Sequence, residues 1–338
     1  MDVSLTGALT KVLLLDDASQ VGHARRTAQQ WAQQIGFDET DAGRAALVAT
    51  ELASNVLKHA GRGVLHQRTV AGRRAQGLEI LAIDRGPGFD LSHCMVDGYS
   101  SRGTQGIGLG ALARQAQVFD AYADHRGSIV LARLYPRLDA RGQDYRFGIS
   151  HHAIHGEAVC GDAWRLAVDG QRLSALVIDG LGHGPQAALA ADAGAQAFAA
   201  SPFEAPERLL ETAHQQMAGS RGGALAVARF DGQDVLQFLG IGNISASLVR
   251  AEGSRGLASH PGIVGGQYRK AQVFEYPGAA GQLLVMHSDG LQSRWRLGDY
   301  PGLWNRHPAV VAALLHRDFC RGRDDTTVLV IALEAQRG

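Results

Sequence analysis

Val177-Ile178-Asp179-Gly180-Leu181-Gly182-His183-Gly184 runs an apolar stretch straight into an acid and then into a glycine-rich turn. A strand that ends on a carboxylate, beside residues without side chains, offers oxygen ligands to whatever approaches its end. Three more segments of the same half repeat the theme. Gly161-Asp162 precedes a strand-like run, Ser288-Asp289-Gly290 follows the apolar Leu283 to Met286, and Asp324-Asp325-Thr326-Thr327 opens the apolar Val328 to Ala332. Taken singly, Asp-Gly is a turn dipeptide and Asp-Asp a solvated pair. Four acids at strand boundaries in one domain are a donor set for Mg²⁺ or Mn²⁺, and two such ions can share a bridging carboxylate. No G-x-S-x-G is present, and no cysteine stands in a catalytic signature.

Around these acids, periodicity predicts strands over 163–169, 173–179, 224–230, 235–241, 245–250, 282–287 and 326–333. Helices are expected over 185–199, 205–217 and 307–318. Strands outnumber helices, so a two-sheet core with flanking helices follows. The triplet His151, His152 and His155 reads as an edge strand rather than a transition-metal site, because alternation splits it between two faces. His183 is either a support for the acids or part of the turn. Asn243 and the loop from Pro261 to Gly266 lie near the site or near a partner surface.

In the first half a helix is predicted over 41–59, with Asp41 at its cap and Val48, Leu52 and Val56 on one stripe. Glu51, Asn55 and His59 form a second stripe. A strand over 78–84 ends in Asp84-Arg85-Gly86-Pro87-Gly88. After a loop, Gly103-Thr104-Gln105-Gly106-Ile107-Gly108-Leu109-Gly110 opens a helix to about 118. Glycines there let backbone N–H groups approach an anion, an Asn carbonyl can hold Mg²⁺, and a carboxylate can deprotonate a nucleophile. Polar Pro136 to Asp144 marks the boundary. The expected plan is a domain over 1–136, a linker over 137–145 and a second domain over 146–338.

The chain has 338 residues, enough for two domains of about 150. Its 33 basic residues balance 33 acidic ones, which excludes a dedicated nucleic-acid or anionic-membrane binder. Lys11, Lys58 and Lys270 are the only lysines and none completes a Gly-Lys-Ser/Thr, so a P-loop is excluded. Cys94, Cys160 and Cys320 are scattered, which argues against a disulfide framework or zinc ribbon. No stretch has the ~18–20 apolar residues of a membrane span and no signal peptide is recognisable, so a cytoplasmic protein is expected. The 43 glycines make a share well above the average of about 7%, with no collagen-like period.

In the order Glu51-Leu52-Ala53-Ser54-Asn55-Val56-Leu57-Lys58-His59-Ala60, then Asp84 to Gly88, then Gly106 to Gly110, the first half resembles the Bergerat-fold (GHKL, HATPase) ATP-binding proteins. Within them it is similar to the anti-sigma-factor serine kinases of the RsbW/RsbT type. The resemblance implies a Bergerat-type α/β sandwich and bound ATP with Mg²⁺. Asn55 would coordinate the Mg²⁺, Asp84 would bind the adenine amino group, and Gly86 and Gly88 would shape the base pocket. Gly106, Gly108 and Gly110 would cover the phosphates, and Glu51 would accept the proton of a protein serine.

The second half resembles the SpoIIE/RsbX-type branch of the metal-dependent PPM serine/threonine phosphatases. The matching residues are Gly156 to Trp164, Asp179 to Gly184, Ser288 to Gly290 and Asp324 to Val328. The resemblance implies an α+β chain whose second domain is a β-sandwich flanked by helices. Asp179 would bridge two metals, the Gly180 carbonyl would complete one shell, and Asp162, Asp289 and Asp324 would supply the remaining ligands. Of the last pair, Asp324 rather than Asp325 is the expected ligand. The implied substrate is a phosphorylated STAS-type anti-sigma-factor antagonist or stressosome-like protein in bacterial partner switching. Two other readings stand beside this one: an N-terminal module that only binds and gates the phosphatase, and a scaffold that only sequesters a regulator.

Overall fold

The computed structural model describes residues 3–5, 9–90, 108–137, 144–154 and 157–334. They divide into two compact units, Thr10–Tyr145 and a second made of Met1–Leu9 with Arg146–Gly338. Both mix α and β structure.

In the first unit, strands β2 (Lys11–Leu15), β3 (Gly63–Ala71), β4 (Gln76–Asp84), β5 (Val118–Asp124) and β6 (Gly127–Leu134) form one antiparallel sheet, in the order β2-β3-β4-β6-β5. Helices α1 (Ser19–Gln34) and α2 (Glu39–Ala60) cover one face, and the short α3 (Leu109–Gln115) precedes β5. The covered face is readable from strand alternation: Leu78, Ile80 and Ala82 of β4 join Val130, Ala132 and Leu134 of β6. They pack with Val48, Leu52 and Val56 of α2 and with Ala24, Ala28 and Ala32 of α1. On the other face, Glu79 lies between Arg68 and Arg133 in register, and all three are buried. Glu79 pairs with Arg68 at 2.5 Å and with Arg133 at 2.7 Å.

The cap of α2 differs from expectation. Asp38, not Asp41, caps it by accepting the Asp41 N–H at 2.7 Å. Asp41 is buried one turn inside the helix and pairs with Arg44 at 2.8 Å. A cap side chain needs the free N–H groups of the first turn, and these begin three residues earlier than the apolar stripe suggested.

The second unit has two sheets. One has the order β1-β8-β9-β10-β11-β14, from β1 (Val3–Leu5), β8 (Asp162–Asp169), β9 (Arg172–Gly180), β10 (Gly223–Phe230), β11 (Leu236–Ile241) and β14 (Phe274–Tyr276). The other has the order β13-β12-β15-β16-β7, from β7 (Phe147–His152), β12 (Ser245–Arg250), β13 (Gly253–Gly256), β15 (Leu283–His287) and β16 (Thr326–Ala332). Helices α4 (Pro185–Ala200) and α5 (Pro206–Met217) pack on the first sheet through Leu176, Ile178, Phe198, Leu209 and Leu210. Helix α6 (Pro308–Phe319) lies so close to β7 that a side chain at Gly148 would stand 2.3 Å from the Ala309 backbone. The result is two sheets with helices outside them.

Two departures concern the domain plan. Val3–Leu5, expected in the N-terminal domain, pairs with β8 as Val3↔Val168 and Leu5↔Leu166. The first unit is therefore an insertion between two strands of the second. At the other boundary, Asp144 and Tyr145, expected in the linker, are held by Arg133: its Nη1 donates to Asp144 Oδ1 at 2.7 Å and to the Tyr145 carbonyl at 3.1 Å. Strand β7 is an edge strand, as expected; His155 lies outside the described residues. Among the described residues, no helix is long and apolar enough to cross a membrane.

Candidate functional site

In β8 and β9, the residues that face the helices are Ala163, Ala167, Leu176 and Ile178. Alternation therefore turns Asp162 and Asp179 to the opposite face, between the sheets. The two are directly opposed in the β8–β9 register. Asp289 follows β15, and Asp324 and Asp325 precede β16, whose register pairs His287 with Val328. The acids thus gather at one end of the two-sheet core.

Their electrostatics show the proximity. Burial raises Asp162 well above the usual carboxylate range, and Asp179 adds to it. Burial, then Asp289 and Asp324, push Asp179 up to about 7. Asp324 is raised by burial first, then by Asp289 and Asp325. Beyond burial, the neighbours that raise these groups are other carboxylates.

Polar neighbours orient the cluster. Ser288 Oγ donates to Asp162 Oδ2 at 2.6 Å and accepts the Thr327 N–H at 3.0 Å. Asn243 Nδ2 donates to Asp289 Oδ2 at 2.7 Å, which puts Asn243 at the site. Asp325 behaves differently from its neighbour. It is buried, and its two oxygens accept the Ile154 and Gly161 N–H groups, each at 2.7 Å. It braces the loop that carries Asp162. His183 Nδ1 lies 3.0 Å from Glu157 Oε1, and His183 acts electrostatically on Asp324.

The glycines serve close approach. A Cβ at Gly180 would stand 2.3 Å from the Ala187 carbonyl oxygen, and one at Gly290 would stand 2.0 Å from that of Asp325. Cys160 is no rival nucleophile, since burial, then Asp162 and Asp325, push its thiol up.

The donor set suits a hard cation: clustered carboxylates whose uncompensated repulsion a divalent ion would relieve. In the present side-chain arrangement the carboxylates are neighbours without forming a cage. Among the described residues, no three His, Cys, Asp or Glu side chains are gathered closely enough to hold an ion.

In the first unit, Glu51 and Asn55 are half-buried, one turn apart on α2. Asp84 ends β4, and the following turn packs on the end of α2: a Cβ at Gly86 would stand 2.8 Å from Ala60 Cβ. Asp84 Oδ1 accepts the Gly86 N–H at 2.8 Å, and Oδ2 accepts the Ser128 hydroxyl. At Gly88, φ is +73° and a Cβ would stand 2.1 Å from the Asp124 carbonyl oxygen, so only glycine fits. Gly108 caps α3 and Gly110 lies in its first turn. Gly106 lies outside the described residues.

Ser288, Thr327 and Glu157 stand inside the quoted motifs, but no spacing marks the first two as orienting groups or links Glu157 to His183. Nor does any spacing link Ser128 to Asp84.

Residues 14–134 match the histidine kinase-like ATPase domain family, and residues 169–334 match the Stage II sporulation protein E (SpoIIE) family. The chain is similar to the serine/threonine-protein kinase RsbT of Bacillus subtilis (strain 168), with 37% identity over 97 residues, 28% of this chain and 73% of RsbT. It is similar to a solved structure described as "The bacterial stressosome: a modular system that has been adapted to control secondary messenger signaling". That likeness has 28% identity and a TM-score of 0.50, over 56% of this chain and 99% of the other. A structure of RsbX in complex with magnesium aligns at 22% identity and a TM-score of 0.49, over 54% of this chain and 92% of the other. The chain therefore belongs to the histidine kinase-like ATPase family through an RsbT-like first half, and it joins that half to a SpoIIE-type phosphatase domain.

Proposed function

We propose that the chain is a metal-dependent protein serine/threonine phosphatase that acts on a phosphorylated regulatory protein in bacterial partner switching. The observation that carries this reading is the convergence of Asp162, Asp179, Asp289 and Asp324 at one end of the core, each beside other acids. These four, with the Gly180 carbonyl, would hold Mg²⁺ or Mn²⁺. Bound ions would stabilise phosphoryl oxygens as Lewis acids and acidify an attacking water. Ser288 and Asn243 orient Asp162 and Asp289, and Asp325 fixes the Gly161 backbone beside Asp162. The likeness to RsbT and to the stressosome structure supports a STAS-type antagonist or stressosome-like protein as substrate.

The first unit would bind ATP with Mg²⁺ through Asn55, Asp84, Gly86, Gly88, Gly106, Gly108 and Gly110. The identity to RsbT favours a kinase role for Glu51. A module that only gates the phosphatase is the alternative reading.

Phosphate release from a phosphorylated STAS-type protein should require Mn²⁺ or Mg²⁺ and vanish in Asp179→Asn. No release with any divalent ion overturns the proposal. Transfer of label from ATP to the same protein, lost in Glu51→Gln, would establish the kinase. Without transfer, an Asn55→Ala chain that loses ATP binding and changes only its phosphatase rate would establish gating.

A further inference from the structure

Arg221 precedes β10 on a stretch of backbone fixed from both sides. Ser220 Oγ accepts the Gly222 N–H at 3.1 Å and donates to the Met217 carbonyl at 2.6 Å. The Leu181 N–H donates to the Gly222 carbonyl at 3.0 Å, and Gly223 exchanges hydrogen bonds with Val264. Gly223 is opposite Gly180 in the β9–β10 ladder, and continuing that register by two residues sets Arg221 against Gly182. The side chain follows: Arg221 Nη1 lies 3.1 Å from where a Gly182 Cβ would stand, over a backbone with φ of +86°.

The Gly182 loop joins the two sides of the acid cluster. The Gly182 carbonyl oxygen is 3.2 Å from where a Gly161 Cβ would stand, next to Asp162. The following residue, His183, acts on Asp324. Although acids surround this loop, the exposed Arg221 side chain forms no hydrogen bond or ion pair among the described residues. Exposed apolar side chains flank it. Leu181 is 44% exposed and Ile263 is 37% exposed, and Ile263 Cγ2 lies 2.8 Å from where a Gly222 Cβ would stand.

We infer that Arg221 is a substrate-binding residue whose guanidinium takes phosphoryl oxygens at the rim of the acid cluster, with Leu181 and Ile263 receiving apolar residues beside the phosphoserine. This rests on the phosphatase reading. A guanidinium fork matches phosphate in a bidentate way that an ammonium does not. A surface arginine is ordinarily solvated and replaceable. This one starts from a pinned backbone, points over a glycine and has no acidic partner, so its charge is free for an incoming dianion.

The test compares the full chain with Arg221→Ala and Arg221→Lys in Mn²⁺, using p-nitrophenyl phosphate and a phosphoserine peptide with leucine on either side. Arg221→Ala should raise KM about tenfold or more for both substrates, as expected for a lost charge-assisted hydrogen bond, with kcat within about threefold. Arg221→Lys should recover part of the loss, and thermal stability should stay unchanged. An unchanged KM for both substrates, a fall confined to kcat, or a rise for the peptide alone overturns the assignment to the phosphoryl group. Absence of turnover by the unmodified chain overturns the phosphatase reading itself, and this inference with it.

Discussion

Asp162 and Asp179 face each other directly across the β8–β9 ladder, and both carboxyls are held above the usual carboxylate range. Like charges in a cross-strand pair oppose folding. Under the proposed function a divalent cation would relieve that cost, and the site would favour binding at the expense of stability.

Asp179→Asn should therefore separate stability from activity. Removing one carboxylate relieves repulsion, and the metal-free variant should melt at the same or a higher temperature than the parent. Phosphate release should fall more than about 100-fold, beyond the effect of losing a residue that merely supports a ligand. Calorimetry without metal and a phosphate-release assay with Mn²⁺ check the two halves.

Asp324 and Asp325 should behave differently despite their adjacency. Asp325→Ala leaves the Ile154 and Gly161 N–H groups without their acceptor and should cost about 2–5 kcal/mol, read from denaturant unfolding. Asp324→Ala should leave stability nearly unchanged and weaken Mn²⁺ binding, read by titration calorimetry.

Glu79 holds two buried arginines, Arg68 and Arg133. Glu79→Ala should destabilise the first unit by about 3–5 kcal/mol, because both guanidinium groups lose their shared carboxylate away from water. Urea unfolding followed by circular dichroism measures it.

His316 of α6 stacks on His152 with ring centroids 4.1 Å apart, and desolvation pulls its pKa down to about 4 from 6.5. The unfolded chain then takes up this proton first as pH falls. Stability is fully present above about pH 6.5 and is lost progressively towards pH 4, by up to about 3 kcal/mol. His316→Gln should flatten that part of the stability–pH curve relative to the parent. Parallel curves would refute the assignment.

Leu5 is 1% exposed in β1, the N-terminal strand of the second unit. Leu5→Ala should cost about 2–5 kcal/mol and speed amide exchange in β8, with little effect on β2 to β6.

Much of the second unit was legible because its strands alternate strongly. The expected strands over 163–169 and 245–250 correspond to Asp162–Asp169 and Ser245–Arg250, and the expected helix over 185–199 to Pro185–Ala200. Helix α1 was missed because it buries small residues, Ala24, Ala28 and Ala32, which leave no strong stripe. Of the proposed site, the acids were legible as motifs. Their braces were not, since Ser288 reaches Asp162 across 126 positions of sequence.

By itself, the sequence determined most strands and helices of the second unit and helix α2 of the first, where acids and glycines end them, and that the chain has two halves of different chemistry. Those properties depend on side-chain periodicity and turn residues, which act over a few positions. Tertiary structure alone decided that β1 belongs to the second unit, that Asp325 holds the Ile154 and Gly161 N–H groups, and that Arg221 lies over Gly182. Strand register and burial set these relations, and both arise only when segments far apart in the chain pack together.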